Sequence, residues 1–319
     1  MPLLKFFIRR AVHSLPMLFG LATVVFFLSR LLPGDPASLF IAPGVPPDLA
    51  EQLRTQFGLH RPLGEQYLLW LTAVARGDLG FSFTHHASVV DVLRTVFPNT
   101  AILGLSALAL ELVLALLIAL TATANSGSWF DRVISNATLV VYTLPSFWLG
   151  IILLSVFSFG VNMFPSSQMY SSGEGGRSAA DVVHHLVLPA LTVAIPGAAG
   201  LARYLRTSIS NTLTQDYVLA ARSMGLSRKR IVTSYVLPNS LGPTVSMLGI
   251  EIGVLLTGVL VTETLFAWPG MGRIAVMAIF ARDYPLILGC TLVAGVVVIA
   301  GNVIADLVNA LIDPRIRLT

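Results

Sequence analysis

The sequence TAILGLSALALELVLALLIALTATA, residues 100–124, decides the fold class because it is a long apolar run with a single charged side chain, Glu111. A helix needs about 20 predominantly apolar residues to cross the hydrocarbon core of a bilayer. A soluble core does not require apolar runs of this length. These residues therefore predict a transmembrane helix.

Five further runs extend the same pattern along the chain. They cover residues 11–32, 133–159, 186–205, 241–262 and 285–311, some with embedded prolines and small polar residues. Mean hydropathy is +0.80. Of the 319 residues, 55% are hydrophobic and 11% are charged, against about 25% charged in an ordinary soluble domain. Six spans predict an all-α integral membrane protein with both termini on one side.

If the chain crosses the membrane six times, its Lys and Arg residues are distributed unevenly between the two sides of the membrane. Twelve lie on the side of the termini and eight on the other, whereas only three acids lie on the terminal side and ten on the other. Cytoplasmic loops carry the excess of Lys and Arg, so both termini are predicted to be cytoplasmic. The net charge of +4 reflects this orientation, and no interleaving with aromatic residues indicates a nucleic-acid groove. Run 11–32 lacks a small-residue cleavage site and is expected to be retained.

These spans divide the chain into four segments. Residues 1–32 are predicted to form a cytoplasmic tail and the first transmembrane helix, and residues 33–97 an extracytoplasmic helical loop. Residues 98–312 are predicted to form a transmembrane core with a cytoplasmic loop at 206–240, and residues 313–319 a cytoplasmic tail. In the external loop, residues 48–57 favour a short helix. Residues 63–75 favour an apolar helix too short to span, which packs against the spans or lies at the interface. SSGEGG, residues 171–176, is expected to be a flexible connection.

A compact basic segment, DYVLAARSMGLSRKRIVTSYVLPN, occupies residues 216–239 within the cytoplasmic loop. Asp216 suits the N-terminus of a helix, and Gly225 suits the left-handed position that ends one. Four residues at i, i+3, i+4 and i+7 predict one face of that helix: Tyr217, Ala220, Ala221 and Met224.

A second short helix is predicted to begin at Ser227, whose side chain can cap it, and to stop at Pro238. The result is a helix-turn-helix with a small, shallow face. Two interpretations fit this pattern equally. The face is either a surface that a partner protein approaches closely, or part of an amphipathic helix that lies on lipid headgroups.

The segment resembles the EAA loop of ABC-importer permeases, in which two small residues precede a glycine and a later Leu-Pro. Those positions are filled by Ala220, Ala221, Gly225, Leu237 and Pro238, and Leu219 replaces the glutamate. The resemblance to binding-protein-dependent dipeptide/oligopeptide permeases runs nearly end to end. It includes RLLPGDP (30–36), GLHRPLGEQYLLW (58–70), RGDLGFS (76–82), QDYVLAARSMGLS (215–227), ETLFAWPGMG (263–272), RDYP (282–285) and DPRIR (313–317).

This resemblance implies a type I ABC importer permease fold in the bacterial plasma (inner) membrane. It also implies partners: a second homologous permease subunit in a heterodimer, two ATP-binding subunits or one fused ATPase, and an extracytoplasmic substrate-binding protein. No cofactor is expected on this chain, since ATP and Mg belong to the partner subunits. The loop would be the coupling helix, and the residues implied to contact the ATPase are Asp216, Tyr217, Ala220, Ala221, Arg222, Gly225 and Leu226.

Catalytic and nucleotide-binding motifs are absent from the sequence. It contains no G-x-x-x-x-G-K-[ST] phosphate loop, no G-x-S-x-G and no H-E-x-x-H. GMGRIA, residues 270–275, matches G-x-G-x-x-A, but no βαβ pattern surrounds it. A tight external turn followed by a short helix is expected there. The chain is therefore predicted to be a non-catalytic subunit.

Four polar residues within the predicted spans are candidates for a functional role, because ionisable groups are costly in a membrane. They are Glu111, Glu251, Asn302 and Asp306. They form either a proton relay or structural pairs with neighbouring helices. We favour structural pairs because functional intramembrane sites usually contain more polar residues than these. Asn302 and Asp306 lie at i, i+4, on one helix face, and could form such a pair.

For the remaining arginines, glycines, histidines and the cysteine of interest, the sequence favours structural roles over functional ones. Arg203 and Arg206 are expected to anchor a span at the headgroups, and the glycines of Gly249-x-x-x-Gly253 to allow close helix approach. The sequence contains two pairs of adjacent histidines, at 85–86 and 184–185. Neither pair is accompanied by a cluster of Cys or acidic residues that could complete a ligand set, so no metal site is predicted. Cys290 is the single cysteine and can form no internal disulfide.

The function predicted from the sequence is a permease subunit that forms half of the translocation pathway of an ATP-driven importer of di- or oligopeptides and works by alternating access. Two alternatives stay open. One is an ion-coupled secondary transporter that uses the intramembrane acids, and the other is an ABC permease for nickel or glutathione.

Overall fold

The computed structural model describes residues 2–31, 60–171, 178–242, 244 and 259–312. Almost all of these residues are helical, which confirms the all-α class. In chain order the elements are α1 (Pro2–Leu31), α2 (Leu63–Ala75), β1 (Phe81–Ser82), β2 (Ala87–Ser88), α3 (Val89–Ala124), α4 (Trp129–Thr143), α5 (Ser146–Leu153), α6 (Ala179–Leu213), α7 (Asp216–Ser223), α8 (Arg228–Ile231), α9 (Met271–Ala281) and α10 (Tyr284–Ile312). The π-helical turns Leu154–Gly160 and Val232–Val236 continue α5 and α8.

Three helices within the described part of the chain are long and apolar enough to cross a membrane: α3, α6 and the segment Tyr284–Val308 of α10. Their positions match the runs at 100–124, 186–205 and 285–311. Helix α6 is continuous through Pro189 and Pro196. In α1, an apolar stretch covers Ser14–Leu28.

The run at 133–159 does not form the single straight span that its hydropathy predicts. It is divided into Trp129–Thr143 and Ser146–Gly160, which meet at an angle of 105°. Leu144 is extended at the break, with φ −73° and ψ 133°. The residue before a proline is pushed out of the α region, so Pro145 accounts for the bend.

Several sequence predictions fall wholly or largely outside the described residues. They are the short helix at 48–57, the SSGEGG connection, most of the span at 241–262, and the two glycines Gly249 and Gly253. The total of six spans and the side on which the termini lie therefore stay predictions.

The chain divides into two compact units. The smaller unit contains residues 9–100 and 269–299. In its core, Val89 and Leu93 from the start of α3 pack with Leu286 and Cys290 of α10. The Cys290 side chain is buried in this core.

In the smaller unit, α2 packs against α1 through aromatic side chains. The Tyr67 ring lies 5.3 Å from the ring of Phe26 and 5.5 Å from that of Phe27. The hydroxyls of Tyr67 and Thr23 are 2.7 Å apart. Helix α2 has the bounds predicted from its apolar run. The sequence allowed it either to pack against the spans or to lie at the membrane interface, and these contacts show that it packs against a predicted span.

The β1–β2 hairpin is attached to α10 by Asp283, which is fully buried. Ser82 Oγ and Thr84 Oγ1 donate to Asp283 Oδ2 at 2.7 and 2.8 Å. The backbone N–H of Leu286 lies 3.3 Å from the other oxygen, Oδ1, so Asp283 also caps α10. From the sequence, Asp283 is only one of the ten acids predicted on the external side.

The larger unit contains residues 1–8, 101–268 and 300–319. One of its cores joins Leu103 and Ala107 of α3 to Ala190 and Val193 of α6, under the fully buried ring of Trp268. A second core lies where α3 and α6 approach α7 and α8. The short helix that the sequence predicts in this region is α9, which begins at Met271, whereas the turn lies earlier than predicted, at residues 266–267.

Candidate functional site

Helix α7 begins at Asp216 and ends at Ser223, and its C-terminus is closed by a Schellman motif. The N–H of Leu226 bonds to the Ala221 carbonyl at 3.3 Å, and the N–H of Gly225 bonds to the Arg222 carbonyl at 2.9 Å. This pattern needs a left-handed residue after the cap. Gly225 provides it with φ +75°, so its predicted role as helix terminator is confirmed.

Helix α8 begins after Ser227, whose side chain accepts a hydrogen bond from the N–H of Arg230, as predicted. The prediction that Pro238 stops this helix is wrong, because residues 237–242 are helical. The π-helical turn Val232–Val236 ends two residues before the proline. A wider turn relieves the clash that proline makes with the preceding turn, so the helix can continue.

The inner face of α7 consists of Val218 and Ala221, both fully buried. They pack with Ile231 of α8, with Leu205 and Ile209 of α6, and with Ala119 of α3. Burial of these side chains stabilises the segment, since each buried CH₂ contributes about 0.8 kcal/mol. Helix α7 is therefore held against the ends of two long helices.

The outer face of α7 consists of the exposed residues Asp216, Tyr217, Leu219, Ala220, Arg222 and Met224. The Met224 side chain is 69% exposed. The prediction that Ala221 belongs to this exposed face is wrong. Its methyl group contributes to the inner core instead, and Leu226 is partly buried against the same core.

Hydroxyl groups join α6 to the helical residues that follow α8. The Ser240 hydroxyl lies 3.0 Å from the Thr212 hydroxyl and 2.8 Å from the Val236 carbonyl. Ser208 Oγ donates to the Ser240 carbonyl at 3.0 Å. Because Ser240 is fully buried, these polar contacts fix the relative position of the two helices.

Two arginines make specific contacts near the ends of the long helices. Arg228 Nη2 donates to the Ala124 carbonyl, at the last residue of α3. Arg206 Nη2 of α6 lies 2.7 Å from the carboxylate of Asp131 in α4, which is largely buried, and Arg206 Nη1 donates to Ser135. Arg206 therefore cross-links α4 and α6. It does not simply anchor a helix at the headgroups, as the sequence suggested.

The polar candidates within the long helices have different surroundings. Glu111 is buried in α3 against Gly197 of α6, where an added Cβ would lie 2.6 Å from the carboxylate carbon. In α10, Asn302 is exposed and Asp306 is half-buried. Glu251 lies outside the described residues.

The histidine pairs contact nearby loops and helix backbone. His184 Nε2 lies 2.9 Å from the Met163 carbonyl, and His185 Nδ1 lies 2.9 Å from the Asp181 carbonyl. The hydroxyl of Thr84 lies 2.9 Å from His85 Nδ1. Among the residues that the structure describes, no group of three or more His, Cys, Asp or Glu side chains could hold a metal ion.

Two family models match this chain. The model for the binding-protein-dependent transport system inner membrane component matches residues 93–318. The model for the N-terminal part of such membrane components matches residues 3–104.

Similar proteins align with the chain over nearly its full length. An oligopeptide transport system permease protein of Bacillus subtilis is 34% identical, covering 98% of this chain and 99% of the relative. A di/tripeptide transport system permease protein of Pseudomonas aeruginosa is 35% identical, and a dipeptide transport system permease protein of Escherichia coli K12 is 31% identical. Each covers 99% of both chains.

Among solved structures, an amino acid ABC transporter with histidines matches with a TM-score of 0.50. The match covers 71% of this chain and 94% of that chain at 17% identity. At this identity the match shows a shared fold.

Proposed function

Because this chain belongs to the family of binding-protein-dependent transport system inner membrane components, we propose that it is a permease subunit of an ATP-driven importer of di- or oligopeptides. It forms half of the translocation pathway and works by alternating access. The substrate class rests on the relatives' names, which specify oligopeptides, di/tripeptides and dipeptides.

The observation that carries this proposal is the division of α7 into two faces. Its inner face is locked to α3 and α6, whereas its outer face exposes Tyr217, Leu219 and Met224 around the small residue Ala220. Exposed apolar residues grouped on one short helix are typical of an interaction surface. The outer face is therefore where a cytoplasmic ATP-binding subunit docks.

The packing of α7 supports a mechanical role for this surface. A partner that moves the outer face also moves Val218 and Ala221, and with them the ends of α3 and α6. The contact between Arg206 and Asp131 extends the movement to α4. ATP can drive the change only if the partner binds the inward-facing and outward-facing states with different free energies. A rigid connection from α7 to the long helices converts that difference into movement.

The remaining partners follow from the same proposal. A second homologous permease forms a heterodimer with this chain and completes the pathway. Two ATP-binding subunits, or one fused ATPase, bind ATP and Mg, while this chain binds no cofactor and catalyses no reaction. An external binding protein delivers the peptide, and the complex lies in the inner membrane of a bacterium.

Reconstitution of the complex in proteoliposomes tests the proposal. We expect peptide uptake to require the binding protein and ATP hydrolysis, and peptides of two to several residues to stimulate the ATPase. Nickel and glutathione serve as alternative substrates in the same assay. Uptake driven by an ion gradient in the absence of the ATP-binding subunits would contradict the proposed energy source.

A further inference from the structure

A cavity of about 370 Å³ lies between α3, α4 and α6, in the larger unit. Its apolar lining residues are Ile118 and Ala119 of α3, Ile134 of α4 and Ala202 of α6. Its polar lining comes mainly from Ser135 of α4 and from Arg203, Arg206, Thr207, Ser210 and Asn211 of α6. The lining therefore offers both apolar and polar contacts, as an amphipathic ligand requires.

The charge balance of this cavity favours an anion. Arg206 is paired with Asp131. Among the described residues, no carboxylate lies within ion-pairing distance of Arg203, whose side chain is exposed. The hydroxyl of Ser210 and the amide of Asn211 line the same cavity and can donate hydrogen bonds. One uncompensated guanidinium beside neutral donors suits a phosphate group.

The position of the cavity favours a lipid as the source of that phosphate. Helix α6 has 35 residues and α3 has 36, so each is roughly 53 Å long and exceeds the hydrocarbon core of about 30 Å. Asn211 lies two residues before the end of α6, in the zone of the headgroups for a helix centred in the bilayer. Arg203 lies roughly 15 Å from that end, near the edge of the hydrocarbon, where an uncompensated charge is costly.

We propose that this cavity binds the phosphate of one anionic phospholipid, with Arg203 as the principal contact and with the first acyl carbons against Ile118 and Ile134. Basic pockets between transmembrane helices recognise lipid headgroups in this way. The site requires that the chain is embedded in a membrane. It does not depend on which substrate is transported, so its failure and the failure of the proposed function are separate results.

Native mass spectrometry of the complete, delipidated complex tests the site with phosphatidylglycerol and phosphatidylcholine. We expect wild type to bind one phosphatidylglycerol with a clear preference. Arg203→Gln should weaken that binding about tenfold, as expected for a charge-assisted contact, and Arg203→Lys should retain most of it. Arg132→Gln is the matched control, because Arg132 is exposed on α4 and does not line the cavity.

A second variant keeps the test independent of any folding defect in Arg203→Gln. Asn211→Ala removes only a neutral donor and should weaken phosphatidylglycerol binding by roughly threefold. Unchanged binding in both variants overturns the proposal, as does an equal loss in Arg132→Gln. Displacement of the lipid by inorganic phosphate at equal concentration would show that the cavity binds a free anion. Displacement by a transported peptide would assign the cavity to the translocation pathway.

Discussion

Ala220 and Ala221 are adjacent small residues with opposite environments. Ala220 is exposed on the outer face of α7, whereas Ala221 is fully buried against α3 and α6. Ala220→Trp should leave the permease folded but abolish association with the ATP-binding subunits, because a large ring would block a close docking contact. Ala221→Trp should instead destabilise the permease itself by about 1–3 kcal/mol through overpacking. Thermal unfolding of the isolated permease and co-purification of the ATPase separate the two effects.

Ala75→Trp is the matched control for this pair, since Ala75 is an exposed helical alanine in α2. It should affect neither unfolding nor ATPase co-purification. If Ala220→Trp retains the ATPase as well as wild type does, the outer face of α7 is not the docking surface.

Gly225 is the second position in this segment where a single residue determines the geometry. Its φ of +75° is accessible to glycine at little cost, and no other atom lies near the position of an added Cβ. Gly225→Ala should therefore destabilise the α7–α8 turn by about 1–2 kcal/mol through backbone strain alone. Gly225→Asn should cost less, because asparagine tolerates this conformation. Hydrogen exchange of the amides of Arg222 to Leu226 measures the effect.

Gly64→Ala is the control for backbone strain, because Gly64 lies in α2 with negative φ and open space at its Cβ position. It should leave exchange in the α7–α8 turn unchanged. Equal protection in Gly225→Ala and wild type would show that the turn does not depend on the left-handed residue.

At the scale of elements, the contact between Arg206 and Asp131 holds α4 against α6. The Asp131 side chain is only 7% exposed, so removal of Arg206 leaves a buried carboxylate without its ion-pair partner, although the backbone N–H of Gly127 still donates to it. We expect Arg206→Gln to reduce the free energy of unfolding by about 3 kcal/mol. Arg94→Gln should change it by less than about 1 kcal/mol, because the Arg94–Asp91 pair is exposed and its atoms are 3.8 Å apart. Chemical denaturation in detergent compares the two variants, and equal losses would contradict this role for Arg206.

The hairpin β1–β2 depends on Asp283 in a similar way. Its buried carboxylate accepts hydrogen bonds from Ser82 and Thr84, about 200 positions earlier in the chain. Asp283→Ala should leave these donors unsatisfied and destabilise the smaller unit by about 2–4 kcal/mol. Ser88→Ala is the milder comparison, because the Ser88 hydroxyl bonds to the exposed residue Asp91. Limited proteolysis at residues 82–88 detects release of the hairpin. If Asp283→Ala is cleaved no faster than Ser88→Ala, the hairpin is held by other contacts.

The elements that the sequence predicts well are those determined by local pattern. Apolar runs located α3, α6 and α10, and the capping residues Ser227 and Gly225 identified the turn between α7 and α8. Periodicity identified a stripe on α7 that included Ala221. It could not show that the adjacent stripe, with Val218, faces the core, because side chains from α3 and α6 decide which stripe is buried.

Long-range pairs carry no local signal. Arg206 and Asp131 are 75 positions apart, and Asp283 and Ser82 are 201 positions apart. These contacts depend on which helices pack together, and residue spacing within one helix does not show which distant helix is its neighbour. The bend at Pro145 was not predicted, although proline accounts for it. At Pro238 the proline was misleading, because a preceding π-helical turn allows the helix to continue. An acid directly before a helix that starts with Tyr284-Pro285 is a capping signal from which the role of Asp283 in α10 could have been inferred.

At the scale of the whole molecule, the energy source for transport depends on the role of the intramembrane acids. These acids either carry protons or contribute only to helix packing. Glu111 is buried against Gly197, where α3 crosses α6. If its role is packing, Glu111→Gln, which keeps the shape, should retain most ATP-driven uptake and show no new dependence on a proton gradient. Gly197→Ala should reduce both uptake and stability, by about 1–3 kcal/mol, because the added methyl group would contact the carboxylate.

Gly20→Ala is the control for a helical glycine, since its Cβ position in α1 is open. Uptake is measured in proteoliposomes that contain the complete complex, with ATP present and the proton gradient either imposed or collapsed by an ionophore. A proton relay predicts the reverse order of effects: Glu111→Gln would abolish uptake, and collapse of the gradient would stop the wild-type complex. Packing instead predicts that shape at position 111 matters more than charge, because Glu111 then acts through its contact with Gly197 and not through a proton that it carries.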